Sequence, residues 1–173
     1  LLQERGETFM TGQKNEDWEY GLTLEREATT GASGRVILGE GDFKYEVSGK
    51  NWGNLPDNWV YKEATAVAVN SRDQVYVFNR GTHPMIIFDR NGDVNSYWGD
   101  GVFANPHGVT IGPDDEVYCI DNGDSTVRKF TSDGKLMLTL GTPHKPSLKM
   151  SGEPFNKPAH LAIHKRTGEL HVA

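Results

Sequence analysis

Residues 66–78 read AVAVNSRDQVYVF, and residues 108–120, 42 positions further on, read GVTIGPDDEVYCI. The same offset relates Phe88 to Phe130 and Asn91-Gly92 to Asp133-Gly134. Apolar residues come in short runs between Gly, Asp, Asn and Pro, a pattern that favours strands and tight turns over helices. A repeat near 42 residues is typical of β-propeller blades. The sequence therefore predicts an all-β fold of the propeller type.

Each repeat divides into four predicted strands. The first blade spans 64–99, with strands at 67–69, 75–78, 85–88 and 94–98, and the second spans 103–141, with strands at 109–111, 117–120, 127–130 and 136–140. Asn91-Gly92 and Asp133-Gly134 are dipeptides that tolerate positive φ, so they are expected to form the hairpins between the third and fourth strands.

The repeats continue on either side of these two blades. A half blade is expected over 155–173, with strands at 161–163 and 170–172, after an inter-blade loop lengthened by ten residues in the stretch 142–153. Upstream, residues 43–53 are expected to be the closing strand of another blade, within a propeller domain of 39–173 that follows a non-repeat segment of 1–38. About half of a ring is thus expected here. Unpaired blade edges seek partners, so further propeller chain is expected to close the ring.

Composition argues against two classes of partner. The chain carries 18 basic and 24 acidic residues, for a net charge of −6, and no basic stripe is present to neutralise a phosphate backbone, so nucleic acid is not an expected partner. No apolar run approaches the roughly 20 residues that span a bilayer, so no membrane partner is expected either. The single cysteine, Cys119, lies in an apolar strand, which favours an inert core thiol over a reactive one.

Two histidines and one arginine are candidates for chemistry. In a propeller the first strand of each blade lines the central channel. His107 and His160 precede the first strands of successive blades, where each can be a zinc ligand or a channel histidine with a structural hydrogen bond. Arg80 follows a strand end where the second repeat has Asn122, so it is either solvated or placed to bind a carboxylate. The other candidates are treated as structural or as background: His83, His144, His164, His171, Asp121 and Asp124.

The segments 75–83, 106–109, 155–158 and 167–173, in this order, resemble peptidyl-α-hydroxyglycine α-amidating lyase, and Asp42-Phe43 with Trp52 resembles that family's entry into its first blade. The resemblance covers residues 40–173. It implies a six-bladed propeller of NHL repeats that cleaves a C-terminal α-hydroxyglycine to a peptide amide and glyoxylate. It also implies a zinc ion held by three channel histidines, and a structural calcium.

Residue by residue, the resemblance makes His107 the first zinc ligand, Arg80 the active-site arginine, and Val67 and Val109 the donors of backbone carbonyls to calcium. The family's tyrosine base and its other two zinc histidines would follow Ala173. His160 stands where the family usually has Asp, so it is a further possible metal ligand.

Two functional hypotheses follow. The first is a zinc-dependent lyase that acts in the channel on a small polar substrate or a peptide C-terminus, cleaving the C–N bond of an α-hydroxy amide. The second is a non-catalytic NHL propeller that binds a protein or a glycan. Metal content separates them, because only the first requires a channel metal.

Overall fold

The structure, a computed structural model, describes residues 29–30, 36–46 and 52–173, and the chain divides into two compact units, Leu1–Lys50 and Asn51–Ala173. In the first unit, strands β1 (Thr29–Thr30), β2 (Val36–Glu40) and β3 (Phe43–Glu46) form an antiparallel sheet in that order. Gly41, with φ of 58°, lies in the turn between β2 and β3. A left-handed backbone at this position suits glycine, which has no Cβ to clash.

The pairing of β3 differs from the expected closing strand. Phe43–Glu46 pairs with β2, register Glu40 with Phe43 and Ile37 with Glu46, in the sheet of the first unit. A two-residue turn makes this local hairpin available without any distant partner. The boundary between the two compact units lies after Lys50, and the predicted domain boundary after residue 38 stays a prediction. The rest of the predicted closing strand, residues 47–51, and most of the predicted non-repeat segment lie outside the described residues.

The second unit contains two four-stranded antiparallel sheets and one two-stranded sheet. The first blade is β4 (Ala64–Val69), β5 (Val75–Asn79), β6 (Met85–Phe88) and β7 (Val94–Trp98). The second blade is β8 (Pro106–Ile111), β9 (Val117–Asp121), β10 (Thr126–Phe130) and β11 (Leu136–Leu140). The third sheet is β12 (Leu161–Ile163) and β13 (Leu170–Val172). Each four-stranded sheet has its strands in sequence order.

The first strands of the three sheets are neighbours: β4 contacts β8, and β8 contacts β12. Sheets that share a central axis through their first strands are the architecture of a β-propeller. The described part of the chain contains no helix, so none with the length and apolar character to cross a bilayer occurs there. The chain is all-β and forms part of a propeller, which confirms the predicted fold class.

The first strand of each complete blade begins earlier than the sequence pattern suggested. Ala64 pairs with Asn79 and Pro106 pairs with Asp121, each across a register shift that separates these pairs from the rest of the ladder. A bulge of this kind bends the strand and redirects its side chains. His107 lies at the bulge of β8, so its side-chain direction is set by an irregularity that both blades share.

Apolar layers join the sheets. One cluster lies between the first and second blades and another between the second blade and β12–β13, while a third covers the opposite face of the first blade. Val109, on β8, is 3% exposed in the first of these layers. Its repeat counterpart Val67, on the free face of β4, is 63% exposed. The same repeat position is therefore buried in the second blade, where the first blade packs against it. It is exposed in the first blade, because the described residues provide no preceding blade to cover it.

Candidate functional site

The candidate residues lie at one end of the three first strands, called here the candidate rim. It consists of the loops that enter those strands or leave the second strands, namely residues 60–64, 79–84, 99–107, 121–125 and 141–160. Hydrogen bonds join these loops from blade to blade. Arg80 Nε donates to the Pro106 carbonyl at 3.1 Å, and Lys157 N donates to Ser125 Oγ at 3.1 Å. Hydrogen bonds therefore link neighbouring blades along the rim.

His107 is half-buried, and its ring is oriented by the next blade. Its Nδ1 lies 2.9 Å from the carbonyl oxygen of Ala159. A carbonyl can only accept a hydrogen bond, so the neutral imidazole carries its proton on Nδ1 and keeps the lone pair on Nε2. Metal-binding histidines are commonly held in this way by a hydrogen bond from the ring nitrogen that does not bind the metal. His107 therefore has the tautomer that a zinc ligand requires.

Gly108 allows this contact to form. A Cβ at that position would lie 2.7 Å from the Ala159 carbonyl oxygen and 3.5 Å from His160 Cα. The first of these distances is a steric clash, so any other residue would push the next blade away. The glycine of the Pro-His-Gly sequence is thus explained by packing between blades, independently of the resemblance of this sequence to a metal-binding motif.

His160 directly follows Ala159, whose carbonyl binds the His107 ring, but His160 itself is more exposed than His107. It is exposed just before β12, and its carbonyl accepts a hydrogen bond from Ala173 N at 3.0 Å. Over residues 29–30, 36–46 and 52–173, no three His, Cys, Asp or Glu side chains are close enough to hold a metal ion together. Zinc would need further ligands beside His107, and the ligand roles of His107 and His160 stay predictions.

Arg80 does not extend freely into solvent. Its Nη1 lies 2.6 Å from Glu63 Oε2, in addition to the bond from Nε to the Pro106 carbonyl, and its side chain is 28% exposed. The backbone N of Arg80 also donates to the Glu63 carbonyl at 3.0 Å. Of the two alternatives left open by the sequence, the structure shows a carboxylate partner, but one from the same chain. Glu63 is a site residue that the sequence reading missed, because nothing local links it to a residue 17 positions away.

The counterpart of Arg80 makes the same kind of link. Asn122 N donates to the Asn105 carbonyl at 3.1 Å, and Asn122 Nδ2 donates to the Lys157 carbonyl at 3.2 Å, in the next blade. Residues at this repeat position therefore link each complete blade to the next one, through an arginine in the first blade and an asparagine in the second. Arg80 makes this link and also carries a charge, which Asn122 lacks.

A buried ion network supports the loop before His107. Asp121 accepts hydrogen bonds from the backbone N of Ala104 at 2.7 Å and of Asn105 at 2.9 Å. Arg128 pairs with Asp124, lies 3.5 Å from Asp121, and donates to the Val102 carbonyl at 3.2 Å. Asp121 and Asp124 therefore hold a loop and a buried cation in addition to capping their own turn. The available sequence signal was Arg128, a charged residue directly after Val127 in a strand whose counterpart in the first blade, Met85–Phe88, is wholly apolar.

Two of the other histidines, His83 and His164, have structural contacts. His83 stacks on Trp59 at 3.9 Å between ring centroids and lies 3.3 Å from an Asp100 carboxylate oxygen. His164 Nδ1 accepts from Thr167 N at 3.2 Å, and His171 is exposed on β13. Cys119 is fully buried, and burial raises the pKa of its thiol well above the usual value, which fits an inert core thiol.

Comparison with known proteins adds to this geometry. No protein-family model matches the chain. Peptidyl-alpha-hydroxyglycine alpha-amidating lyase 1 of Drosophila melanogaster is 40% identical over 75 residues, which are 42% of this chain and 13% of the lyase. NHL repeat-containing protein 3 is 32% identical in Mus musculus and 30% identical in Homo sapiens over 116 residues, 61% of this chain and 33% of each relative. The blades are similar to NHL repeats.

The NHL likeness is to parts of longer proteins, because this chain spans 33% or less of the length of these relatives. Among solved structures, a protein of unknown function from Bacteroides caccae superimposes with a TM-score of 0.47 at 14% identity, over 64% of this chain and 38% of that one.

The two carbonyls predicted to bind calcium, those of Val67 and Val109, belong to equivalent positions of the first strands of adjacent blades. Val67 pairs with Val77 in the first blade, and Val109 pairs with Cys119 in the second. The two valines therefore lie on neighbouring strands next to the axis, and calcium at their carbonyls stays a prediction.

Proposed function

We propose that this protein is a metal-assisted lyase of the amidating type, acting at the candidate rim on a small polar substrate or a peptide C-terminus. The observation that supports the proposal most is the tautomer of His107, whose Nδ1 is bonded to Ala159 O at 2.9 Å so that Nε2 is free to bind a metal. The partial identity to the Drosophila lyase gives the reaction type: cleavage of the C–N bond of an α-hydroxy amide.

The proposed roles follow from the contacts. His107 would hold zinc through Nε2, with further ligands from outside the described residues and His160 as an additional candidate. Zinc, when bound, supplies a Lewis acid that polarises a substrate oxygen. Backbone carbonyls of Val67 and Val109 would hold calcium, which prefers oxygen ligands.

Arg80 is the proposed counter-charge for an anionic substrate group. Its Nε and Nη1 are used by Pro106 and Glu63, and within the described residues Nη2 has no hydrogen-bond partner. A guanidinium held by two of its nitrogens keeps a fixed orientation toward a third partner, which favours a directed contact with a carboxylate. Glu63 would hold that orientation.

The test is metal content together with lyase activity of the natural full-length protein. His107→Gln is compared with His171→Gln, a control at an exposed histidine on β13. We expect bound zinc and glyoxylate release from an α-hydroxyglycine peptide in the wild type and in the control. In His107→Gln we expect activity to fall by at least about a hundredfold, because loss of a residue that only orients a metal ligand already costs up to that much. A wild-type protein that holds no zinc and releases no glyoxylate contradicts the proposal.

A second candidate is a non-catalytic NHL propeller that binds a protein or a glycan. It is favoured by the longer match to NHL repeat-containing protein 3, and by the intramolecular ion pair that already occupies Arg80. This candidate predicts a metal-free rim and unchanged partner binding in His107→Gln.

A further inference from the structure

The loop between the second blade and β12 is longer than the repeat requires. From Gly99 to Pro106 the first inter-blade connection is short, whereas the equivalent connection from Gly141 to Pro158 contains ten more residues. Most of the additional length forms a closed loop over residues 147–156, called here the rim loop. The blade architecture does not explain this insertion, because the preceding blade junction is made without one.

The rim loop is closed at its base. Ser147 N donates to the Phe155 carbonyl at 3.0 Å, and Ser147 Oγ donates to the Pro154 carbonyl at 2.7 Å. Asn156 Nδ2 donates to the Ser147 carbonyl at 2.5 Å, and Phe155 packs into the apolar layer beside β12. Compact surface loops with joined ends are frequently functional. The tip is therefore presented on an anchored base.

The tip exposes two large apolar side chains. Leu148 is 84% exposed and Met150 is 101% exposed. Met150 also has a φ of 58°, in the left-handed region that residues other than glycine rarely occupy. Neither side chain gains packing within the described chain, and the Met150 backbone is strained. An unfavourable backbone that displays an apolar side chain indicates a surface built for a partner.

The charge beside the tip has the opposite sign from the chain as a whole. Lys145, Lys149 and Lys157 lie in or next to the loop with one acidic residue, Glu153, for a local net charge of +2, whereas the chain carries −6. All four residues are exposed. A convex tip that combines bare aliphatic groups with lysines matches the interface of an anionic lipid bilayer, where apolar groups insert below the headgroups and lysines remain among them.

We propose that the rim loop docks the protein peripherally on an anionic lipid surface, with Leu148 and Met150 inserted and Lys145 and Lys149 at the headgroups. This contact needs no bilayer-spanning segment. The proposal therefore departs from the expectation of no membrane partner only at the surface of the bilayer. It does not depend on the proposed lyase activity. Because the loop rises from the candidate rim, docking would turn that rim toward the membrane.

The experiment measures co-sedimentation with vesicles of phosphatidylcholine alone and of phosphatidylcholine with phosphatidylserine. Three double variants are compared with the wild type: Leu148→Ser/Met150→Ser for insertion, Lys145→Gln/Lys149→Gln for charge, and Leu136→Ser/Met137→Ser as the control. The control pair is 52% and 53% exposed on β11, outside the loop.

We expect wild-type binding to the phosphatidylserine vesicles only, weakening as salt rises because screening shortens the reach of the lysines. The insertion variant is expected to lose at least about tenfold in partition coefficient, since burying one such side chain is already a tenfold effect. The charge variant is expected to lose roughly 25-fold, from about fivefold for each of the two lysines. The control is expected to bind like the wild type.

Four outcomes overturn the proposal. They are no binding of the wild type to either vesicle, equal binding to both vesicles, equal losses in the insertion and control variants, and wild-type binding by a folded insertion variant. Circular dichroism of each variant checks that the sheets are intact. Absence of vesicle binding would leave an acidic protein surface as the occupant of the tip.

Discussion

Arg128 offers a sharp test of how the loop before His107 is held. Its side chain is 10% exposed, and it pairs with carboxylates that are 0% exposed at Asp121 and 2% exposed at Asp124. Arg128→Met keeps an unbranched apolar stem of similar length to that of arginine but removes the guanidinium group and its charge. Two buried carboxylates then lose their cation, and breaking a buried pair in this way typically costs about 3–5 kcal/mol.

The remaining hydrogen bonds of Asp121 and Asp124 indicate which of the two carboxylates is less stable without Arg128. Asp121 keeps the hydrogen bonds from Ala104 N and Asn105 N, whereas Asp124 keeps mainly the hydroxyl of Thr126. The double variant Arg128→Met/Asp124→Asn removes the less compensated charge. We therefore expect it to be more stable than Arg128→Met alone, and a double-mutant cycle measures the coupling.

The assay is urea unfolding at neutral pH, with Lys129→Met as the matched control. Lys129 is the next residue, and its pair with Glu116 at 2.6 Å is partly open to solvent, with side chains 22% and 15% exposed. Exposed pairs contribute about 1 kcal/mol or less. If Arg128→Met and Lys129→Met lower the free energy of unfolding equally, the buried network does not stabilise the blade as argued.

Two further predictions concern a turn and a charge pair. Gly134→Ala should lower the free energy of unfolding by more than Gly152→Ala, as measured by urea unfolding. Both glycines have positive φ, at 89° and 76°, but a Cβ on Gly134 would lie 2.5 Å from Trp98 Cγ while one on Gly152 meets nothing within 4 Å. Equal losses in the free energy of unfolding would mean that the positive φ determines the cost and that the contact with Trp98 adds nothing. The hydrogen bond from Lys129 lowers the pKa of Glu116, so the stabilisation from this pair should be full above the ordinary glutamate pKa and lost as pH falls through the lower folded-state value. Comparing wild type and Glu116→Gln over that acid range checks this, and a stability difference that grows in acid would contradict it.

The strands were predictable because the repeat fixed their order and the alternation fixed their faces. The predictions for 85–88 and 94–98 coincide with β6 and β7. The starts of β4 and β8 were placed late, because the ladder continues past a bulge to Asn79 and Asp121. A bulge interrupts the period of two, so hydrophobic alternation does not reveal the paired residues beyond it.

The site was predictable at the level of residues but less so at the level of partners. The repeat placed His107 and Arg80 at one rim, and the structure joins them through Pro106. The partner Glu63 and the buried setting of Arg128 could not be read from spacing, because both depend on contacts between loops of different strands. The strand partner of residues 43–46 was missed for a related reason, since the local hairpin with β2 has no repeat signature.

The bond between His107 and Ala159 has a consequence for folding as well as for chemistry. The imidazole belongs to the second blade, but the position of its proton is decided by a carbonyl just before the third sheet. If β12–β13 undocks, the ring loses its acceptor and can shift its proton between the two nitrogens. A ligand that requires the lone pair on Nε2 would bind only the docked form, so its binding free energy would be added to the adhesion between the blades. A ligand bound at His107 Nε2 would then indicate that the second blade and the β12–β13 sheet are docked against each other.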